Sequence, residues 1–380
     1  MKNLLFILET DYSQHFLSGM RNKVYAQKML FENNDINCHL YVMDNSKSQY
    51  SVISKILKRL PFFNISPKWK YNKSLSGYNV VYMRRPFYFS CYTICTIRQI
   101  KKNNRNCTII IEIPTYPYDG EYKISDIPLM IKDKIWRRCL YRYVDYFAVV
   151  GTYEYIPKKL WGIKTVPFEN GVNTKEIKTR KNIAPNNAIN LLAISSMSRW
   201  HGYERVIIGL DDYYKNGGSE NVHIYFVGEG GEKKYYQKLC EKKTIKEKVH
   251  FLGLKCGDDL MDVVNKYGDI GLCSFGRYKS KMKNSTDLKS REYLAYGIPI
   301  ITGAPLGYIE NSDFCLEFPN DASVVDINKI VEFYKKLREK YTYEEYTNLI
   351  RRFAEKSCDI ESTMKPVVKL IKYDIDNEVR

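Results

Sequence analysis

The chain has 380 residues, 44% of them apolar, which is enough for two cores and too long for one typical domain. Sixty Lys and Arg against 43 Asp and Glu leave a net charge of +17, a field that attracts nucleic acid, anionic lipid or phosphorylated small molecules. No window reaches the roughly 18 apolar residues of a membrane span, the ten cysteines contain no CxxC pair, and MKNLLFILETDYSQ reads as a strand and not a secretory leader, so the expected setting is the cytoplasm.

Along the chain, Lys2–Leu8 reads as a strand, Arg21–Glu32 as a helix and Cys38–Met43 as a second strand. From Asn45 through Ile111 there is no Asp or Glu, while Lys47, Lys55, Lys58, Arg59, Lys68, Lys70, Lys73, Arg84, Arg85 and Arg98 interleave with Phe62, Phe63, Trp69 and Tyr71. Within this span SVISKILKRLPFF reads as a short basic amphipathic helix. Such a span suits an anionic membrane surface, single-stranded nucleic acid or merely a solvated basic face. Tyr78–Met83, Thr108–Ile113 and Tyr146–Val150 are further β runs. After Gly171 the pattern restarts with Ile189–Ile194, Val222–Val227, Val249–Leu252, Ile270–Ser274 and Ile298–Thr302, and Ile360–Ile375 is amphipathic.

Strands alternating with helices predict parallel sheets, and two such series predict two doubly wound α/β domains. The expected division is 1–168, a linker at 169–187, 188–355 and a terminal helix at 356–380. Open parallel sheets bind ligands beyond the carboxyl ends of their strands, so the loops there are the places to look.

Three such loops stand out. After Ile189–Ile194 come Arg199, His201, Gly202 and Arg205 at the start of a helix, a setting that favours phosphate and that also fits a plain turn with solvated charges. After Val222–Val227 comes GEGGEKK, beginning at Gly228; it reads equally as a ligand loop or as a tight turn. After Ile270–Ser274 come Arg277, Lys279, Lys281 and Lys283, then Asn284, Ser285, Thr286 and Asp287 as N-cap candidates for a helix carrying Leu288, Lys289 and Glu292, closed by Gly297. On a plain surface Lys289 and Glu292 would be a weak ion pair. At a cleft, the carboxylate can accept both hydroxyls of a ribose diol and the lysine can neutralise a diphosphate. No His/Cys/Asp cluster has metal-ligand spacing.

SRWHGYERVIIGL, VHIYFVGEGGE, VHFLG, DLKSREYLAYGIPI and FENGVN occur in an order and spacing that resembles the retaining glycosyltransferases of family 4. EIPTYPYDGEY looks like a subgroup associated with bacterial capsule, exopolysaccharide or lipopolysaccharide assembly. The resemblance implies the GT-B fold, two facing Rossmann-like domains with an interdomain cleft. It implies a nucleotide-sugar donor, most often a UDP-sugar, held by the second domain, and a last helix that returns to the first domain. It places Glu292 on the ribose, Lys289 beside it, His201 where a phosphate-binding lysine is common, and Leu254 against the base. Gly19 would let the first helix approach the donor phosphates. Gly202, Arg205, Gly228, Ser285, Thr286 and Leu288 complete the expected donor contacts.

The chain departs from the family pattern at three places. The first acid of the paired motif is Asn284, the phosphate arginine is Ser195, and the catalytic histidine after Ile113 is replaced by Thr115 and Tyr116. Arg199, Arg205 or Lys281 are candidates to replace the arginine. Asn284, Arg199, Lys289, Tyr116 and Asp119 are the candidate catalytic groups, Asp119 reading equally as a loop cap. The expected reaction transfers a sugar with retention to a glycan or lipid-linked acceptor, driven by positioning and by cations aimed at the leaving phosphate. No metal or other cofactor and no nucleic acid are expected, and the membrane's cytosolic face is the expected partner of the basic span. The competing readings are a nucleotide-sugar epimerase of the same fold and a nucleic-acid-binding protein that uses residues 45–111.

Overall fold

The computed structural model describes residues 2–9, 18–43, 56–57, 59–62, 77–151, 154–181, 187–241, 244–280, 282 and 284–373. Lys281, Lys283, Lys55, Lys58, Trp69 and most of the expected basic helix lie outside these residues. The chain divides into two compact units, Met1–Asn170 with Thr363–Arg380, and Gly171–Ser362.

In the first unit the order is β1 (Lys2–Leu8), α1 (Ser18–Asn33), β2 (Ile36–Val42), β3 (Val80–Arg84), α2 (Cys91–Asn103), β4 (Thr108–Ile113), α3 (Ile127–Trp136), β5 (Tyr146–Val150), β6 (Lys159–Leu160) and β7 (Ile163–Phe168). The sheet runs β2-β1-β3-β4-β5-β7-β6. Runs such as TIIIEI and YFAVV are buried along their whole length or nearly so, as strands covered on both faces require. All pairs are parallel except β6 with β7. That hairpin turns at Trp161 (φ 48°) and Gly162 (φ 87°), the two left-handed positions that suit a two-residue connection. It was not legible in the sequence, because IKTVPF carries Lys, Thr and Pro where a buried strand is apolar. Pro167 is tolerated because β7 has only the two-residue β6 on its far side.

Under α1 lies a buried ionic group. Glu112 accepts from Lys23 Nζ (3.0 Å), Arg84 (2.7 Å), Gln27 (2.8 Å) and the Tyr82 hydroxyl (2.8 Å). Burial opposes its charge, but Lys23, Arg84 and these hydrogen bonds outweigh that and hold its carboxyl near 2. The group fixes the pose of α1 on β3 and β4.

The second unit contains β8 (Ile189–Ile194), α4 (Glu204–Lys215), β9 (Val222–Val227), α5 (Lys233–Glu241), β10 (Val249–Phe251), α6 (Gly257–Tyr267), β11 (Ile270–Leu272), α7 (Leu288–Tyr296), β12 (Ile300–Thr302), β13 (Cys315–Glu317), α8 (Ile327–Lys340) and α9 (Tyr343–Ser357). Its sheet is wholly parallel, β10-β9-β8-β11-β12-β13. In strand sequence this is the 3-2-1-4-5-6 order of dinucleotide-binding folds, whose connections diverge between β8 and β11 and leave a crevice there. Leu191, Ala193, Ile224, Phe226, Leu272 and Ile301 form one core face, and Leu192, Val227, Cys273, Tyr293, Leu294 and Ile300 form the other. The terminal helix α10 (Lys365–Tyr373) belongs to the first unit, where it packs against β7.

Candidate active site

Two loops meet at the crevice of the second unit, one after β8 and one after β11. The Phe275 amide donates to the His201 carbonyl (2.6 Å) and the Gly276 amide to that of Trp200 (3.2 Å). Gly202 makes this possible. Its φ is +63°, and a Cβ there would lie 2.5 Å from Gly276 N, so no other residue lets the loops close.

The third wall is α7. Asp287 caps it, accepting from the Ser290 amide (3.2 Å) and the Ser274 hydroxyl (2.9 Å), and Gly297 ends it in the left-handed conformation at φ 82°. The helix is locked in place. Tyr293 accepts the Ile194 amide at the end of β8 (2.7 Å), and the buried Arg291 lies 3.9 Å from the ring centre of Tyr308, whose hydroxyl donates to Ser290 (2.7 Å). A site built on such a braced helix keeps its side chains in register.

On this frame Lys289 and Glu292 do not form the ion pair of a plain helix surface. Lys289 Nζ instead donates to the buried Tyr203 hydroxyl (2.8 Å). Burial lowers its pKa to about 8, with Asp287 and Glu292 pulling upward and Arg277 downward. Glu292 is half-buried and has no hydrogen-bond partner among the described residues. Burial pushes its carboxyl up to about 7, against the pull of Lys289 and with a push from Asp287. A poorly hydrated carboxylate held without a donor is poised to accept hydroxyls from a ligand.

His201 is buried, and its Nδ1 accepts the Ser198 amide (2.9 Å). That bond assigns the ring proton to Nε2. Burial, then Lys289 and Arg277, hold its pKa well below the ordinary value, so it is a neutral donor and not a cation. Its ring stacks on Tyr203 at 5.5 Å. The residue therefore caps its own turn and presents Nε2–H. The serine at the expected arginine position, Ser195, accepts the Met197 amide (2.9 Å) and steadies the same loop.

Arg277 is the cation that the sequence pattern underweighted. It sits 3.8 Å from Asp287, and its Nε is buried without a partner among the described residues. Burial opposes the charge of Asp287, but Arg277, Lys289 and two hydroxyl or amide donors keep its carboxyl low. The signal in the sequence was position alone: Arg277 is the first cation after the strand at the switch point. Beside it, Asn284 and Thr286 are half-buried, and Ser285 is buried with its hydroxyl unpartnered among the described residues. Leu288 packs its side chain onto the core.

The remaining expected residues have these surroundings. Arg205 is not available to a phosphate. It is 2% exposed, and its nitrogens donate to the carbonyls of Ser323, Phe275 (2.8 Å) and Pro319 (3.0 Å). It ties α4 to the loops after β11 and β13. Arg199 is exposed on the turn before Gly202, and Lys279 is taken by Glu204. Gly228 serves loop packing, since a Cβ there would lie 2.1 Å from the Ser195 carbonyl oxygen, and one on Gly230 only 1.6 Å from that of Ser196. Leu254, after β10, is exposed, and the loop carrying it is held by Gly228 N–H to Gly253 O (2.8 Å).

In the first unit, Asp119 is paired with Arg137 (2.7 Å) and Lys134 (3.4 Å). Burial opposes its charge, yet these cations hold its carboxyl below the usual range, which makes it a loop brace and a poor base. Tyr116 precedes a cis proline and packs on the core. Gly19 is exposed in the first turn of α1, and a Cβ there would meet nothing within 4 Å, so its own unit does not require glycine.

No protein-family model matches the sequence, and no curated protein matches it. Solved structures do. One is HepE of Anabaena in complex with UDP, with TM-score 0.59 and 13% identity over 98% of this chain and 99% of that one. Another is sucrose-phosphate synthase of Thermosynechococcus elongatus, with TM-score 0.68 and 12% identity over 99% and 100%. A third is the lipopolysaccharide outer core galactosyltransferase WaaB, with TM-score 0.55 and 14% identity over 98% and 99%. At these identities the likeness is one of fold, and the chain has the GT-B fold of two Rossmann-like α/β units.

Proposed function

We propose that the chain is a retaining glycosyltransferase that moves a sugar from a UDP-sugar to a hydroxyl of a glycan or lipid-linked acceptor in surface polysaccharide assembly. The observation that carries the reading is Glu292, a half-buried carboxylate with no hydrogen-bond partner among the described residues, raised to about 7 and carried on the helix after β11 with Lys289 as its neighbouring cation, itself close to Arg277 and His201. Support comes also from similar folds crystallised with UDP and with UDP-glucose.

In this reading Glu292 accepts the ribose hydroxyls, and Lys289, Arg277 and the Nε2–H of His201 face the diphosphate. The bond from the anomeric carbon to the phosphate oxygen breaks, and its electron pair leaves with the nucleoside diphosphate. The acceptor oxygen bonds to the same face of that carbon, and its proton passes to the departing phosphate oxygen. The cations stabilise charge that grows only as the bond breaks, which is the condition for catalysis. Asn284 hydrogen-bonds a sugar hydroxyl, and the exposed Arg199 and Leu254 border the donor. The basic 45–111 span holds the enzyme at the cytosolic membrane face, where lipid-linked acceptors reside.

The test is calorimetric titration with UDP and a panel of UDP-sugars. The wild type binds, and Glu292→Ala loses at least about tenfold in affinity with an unchanged melting profile. Undiminished UDP affinity in that variant refutes the assignment. Epimer formation from a UDP-sugar without acceptor favours an epimerase of the same fold instead.

A further inference from the structure

Helix α3 turns its isoleucines outward and keeps Leu129 inside. The segment has isoleucines at 124, 127, 131 and 135, the spacing of one helical face. In a soluble domain that face covers a core. Here Ile124 is 88% exposed, Ile127 42%, Ile131 46% and Ile135 37%, while Lys132 and Asp133 are buried. The orientation is enforced. Asp133 accepts the Phe89 amide (2.8 Å), the Tyr118 hydroxyl (2.8 Å) and Arg137 (3.3 Å), and Lys132 Nζ lies 5.5 Å from the centre of the Tyr88 ring. Rolling the helix to hide its isoleucines would break all of these contacts.

The stripe is continued by charge. Arg138 and Arg142 follow on the same exposed spacing, and Lys123 precedes it. Glu121, in the turn before, is neutralised by Arg85 (2.9 Å). Trp136 Nε1–H donates to the Pro61 carbonyl (3.0 Å), which sets the exposed Arg59, Leu60 and Phe62 beside the end of α3.

We propose that this isoleucine face is a membrane-docking surface, on which α3 lies in the interfacial plane of an anionic bilayer with its cations at the headgroups. The inference deepens the membrane reading above and rests on it: it adds α3 as the apolar contact beside the cations of the basic 45–111 span. A bilayer fits better than a protein partner. The stripe is aliphatic, evenly spaced and flanked by cations, which is what interfacial helices need. Protein hot spots centre on aromatic or arginine anchors in pockets. With ten residues, α3 is too short to cross a bilayer, and no helix among the described residues is long and apolar enough to do so.

The experiment is co-sedimentation of the full chain with phosphatidylcholine vesicles, with and without phosphatidylglycerol. Three variants accompany the wild type: Ile127→Ser with Ile131→Ser, Lys55→Gln with Lys58→Gln and Arg59→Gln, and Glu292→Ala. Both isoleucines already face water, so the double variant keeps its melting profile. The expected result is wild-type binding to anionic vesicles that falls by at least about tenfold in the isoleucine variant and persists in Glu292→Ala. Binding lost in the basic-span variant but kept in the isoleucine variant overturns this proposal and leaves the general membrane reading standing. Wild type that stays in the supernatant with every vesicle overturns both, without touching the donor-site reading. A wild-type oligomer that the isoleucine variant converts to monomer, with vesicle binding unchanged, makes the stripe a contact between copies and overturns the proposal.

Discussion

Replacing Glu292 with Gln should stabilise the empty protein while weakening its ligand affinity. The folded structure lifts this carboxyl from its ordinary 4.5 to about 7. A raised carboxyl favours folding fully below its unfolded value near 4.5, and that contribution is lost as pH rises through about 7. At pH 8 the wild type therefore carries an ionised group that its surroundings disfavour. At about 1.36 kcal/mol per pKa unit the difference is about 3 kcal/mol. Because the group is only half-buried, water screening reduces this to about 1.5–3 kcal/mol. Gln has the same shape and no charge. For a domain of this size, roughly 2–4 °C per kcal/mol puts the melting temperature of Glu292→Gln about 3–12 °C above wild type at pH 8 without nucleotide. The gap should close as pH is lowered toward 4.5. Differential scanning fluorimetry across that range is the assay. A variant melting at or below wild type at pH 8, or a gap independent of pH, would show that the carboxylate is not held at a cost. A site residue that destabilises the resting fold is expected where function opposes stability.

Other outcomes follow from the same geometry. Ligand hydroxyls that hydrogen-bond Glu292 favour its ionised form, so UDP binding near pH 7 should release protons. Titration in two buffers of different ionisation enthalpy measures this, and buffer-independent heats would contradict it. Arg205→Met should lower stability by about 2–4 kcal/mol in urea unfolding, because three carbonyls lose their donor. Arg277→Met should leave stability within about 1 kcal/mol yet weaken UDP binding at least about tenfold; the reverse pattern would exchange their roles. Gly202→Ala should cost about 2–4 kcal/mol from a left-handed φ and a backbone clash, read by chemical denaturation; a near-neutral result would mean that the loops have room to part.

Part of this protein was legible in its residues. The apolar runs from Lys2–Leu8 to Ile270–Leu272 announced strands because a parallel sheet buries both faces. The caps around Asp287 and Gly297 announced α7 because those residues satisfy helix ends locally. Lys289 and Glu292 were legible as candidates because both lie on that helix just beyond a strand end. The hairpin of β6 and β7 and the strand β13 were not, since their short, mixed sequences become strands only beside established neighbours.

What the sequence by itself determined was the alternation of elements, the two-unit plan and the identity of the loops that gather at the strand ends. These follow from local propensity and periodicity, which neighbouring residues encode. Only the tertiary structure decided how each charged group is used. It turned Arg205 to carbonyls and Asp119 to Arg137, left Glu292 without a donor among the described residues, and set the isoleucines of α3 in water with Asp133 inside. The physical reason is that a side chain's charge state and partners depend on burial and on groups distant in the chain, and periodicity carries neither.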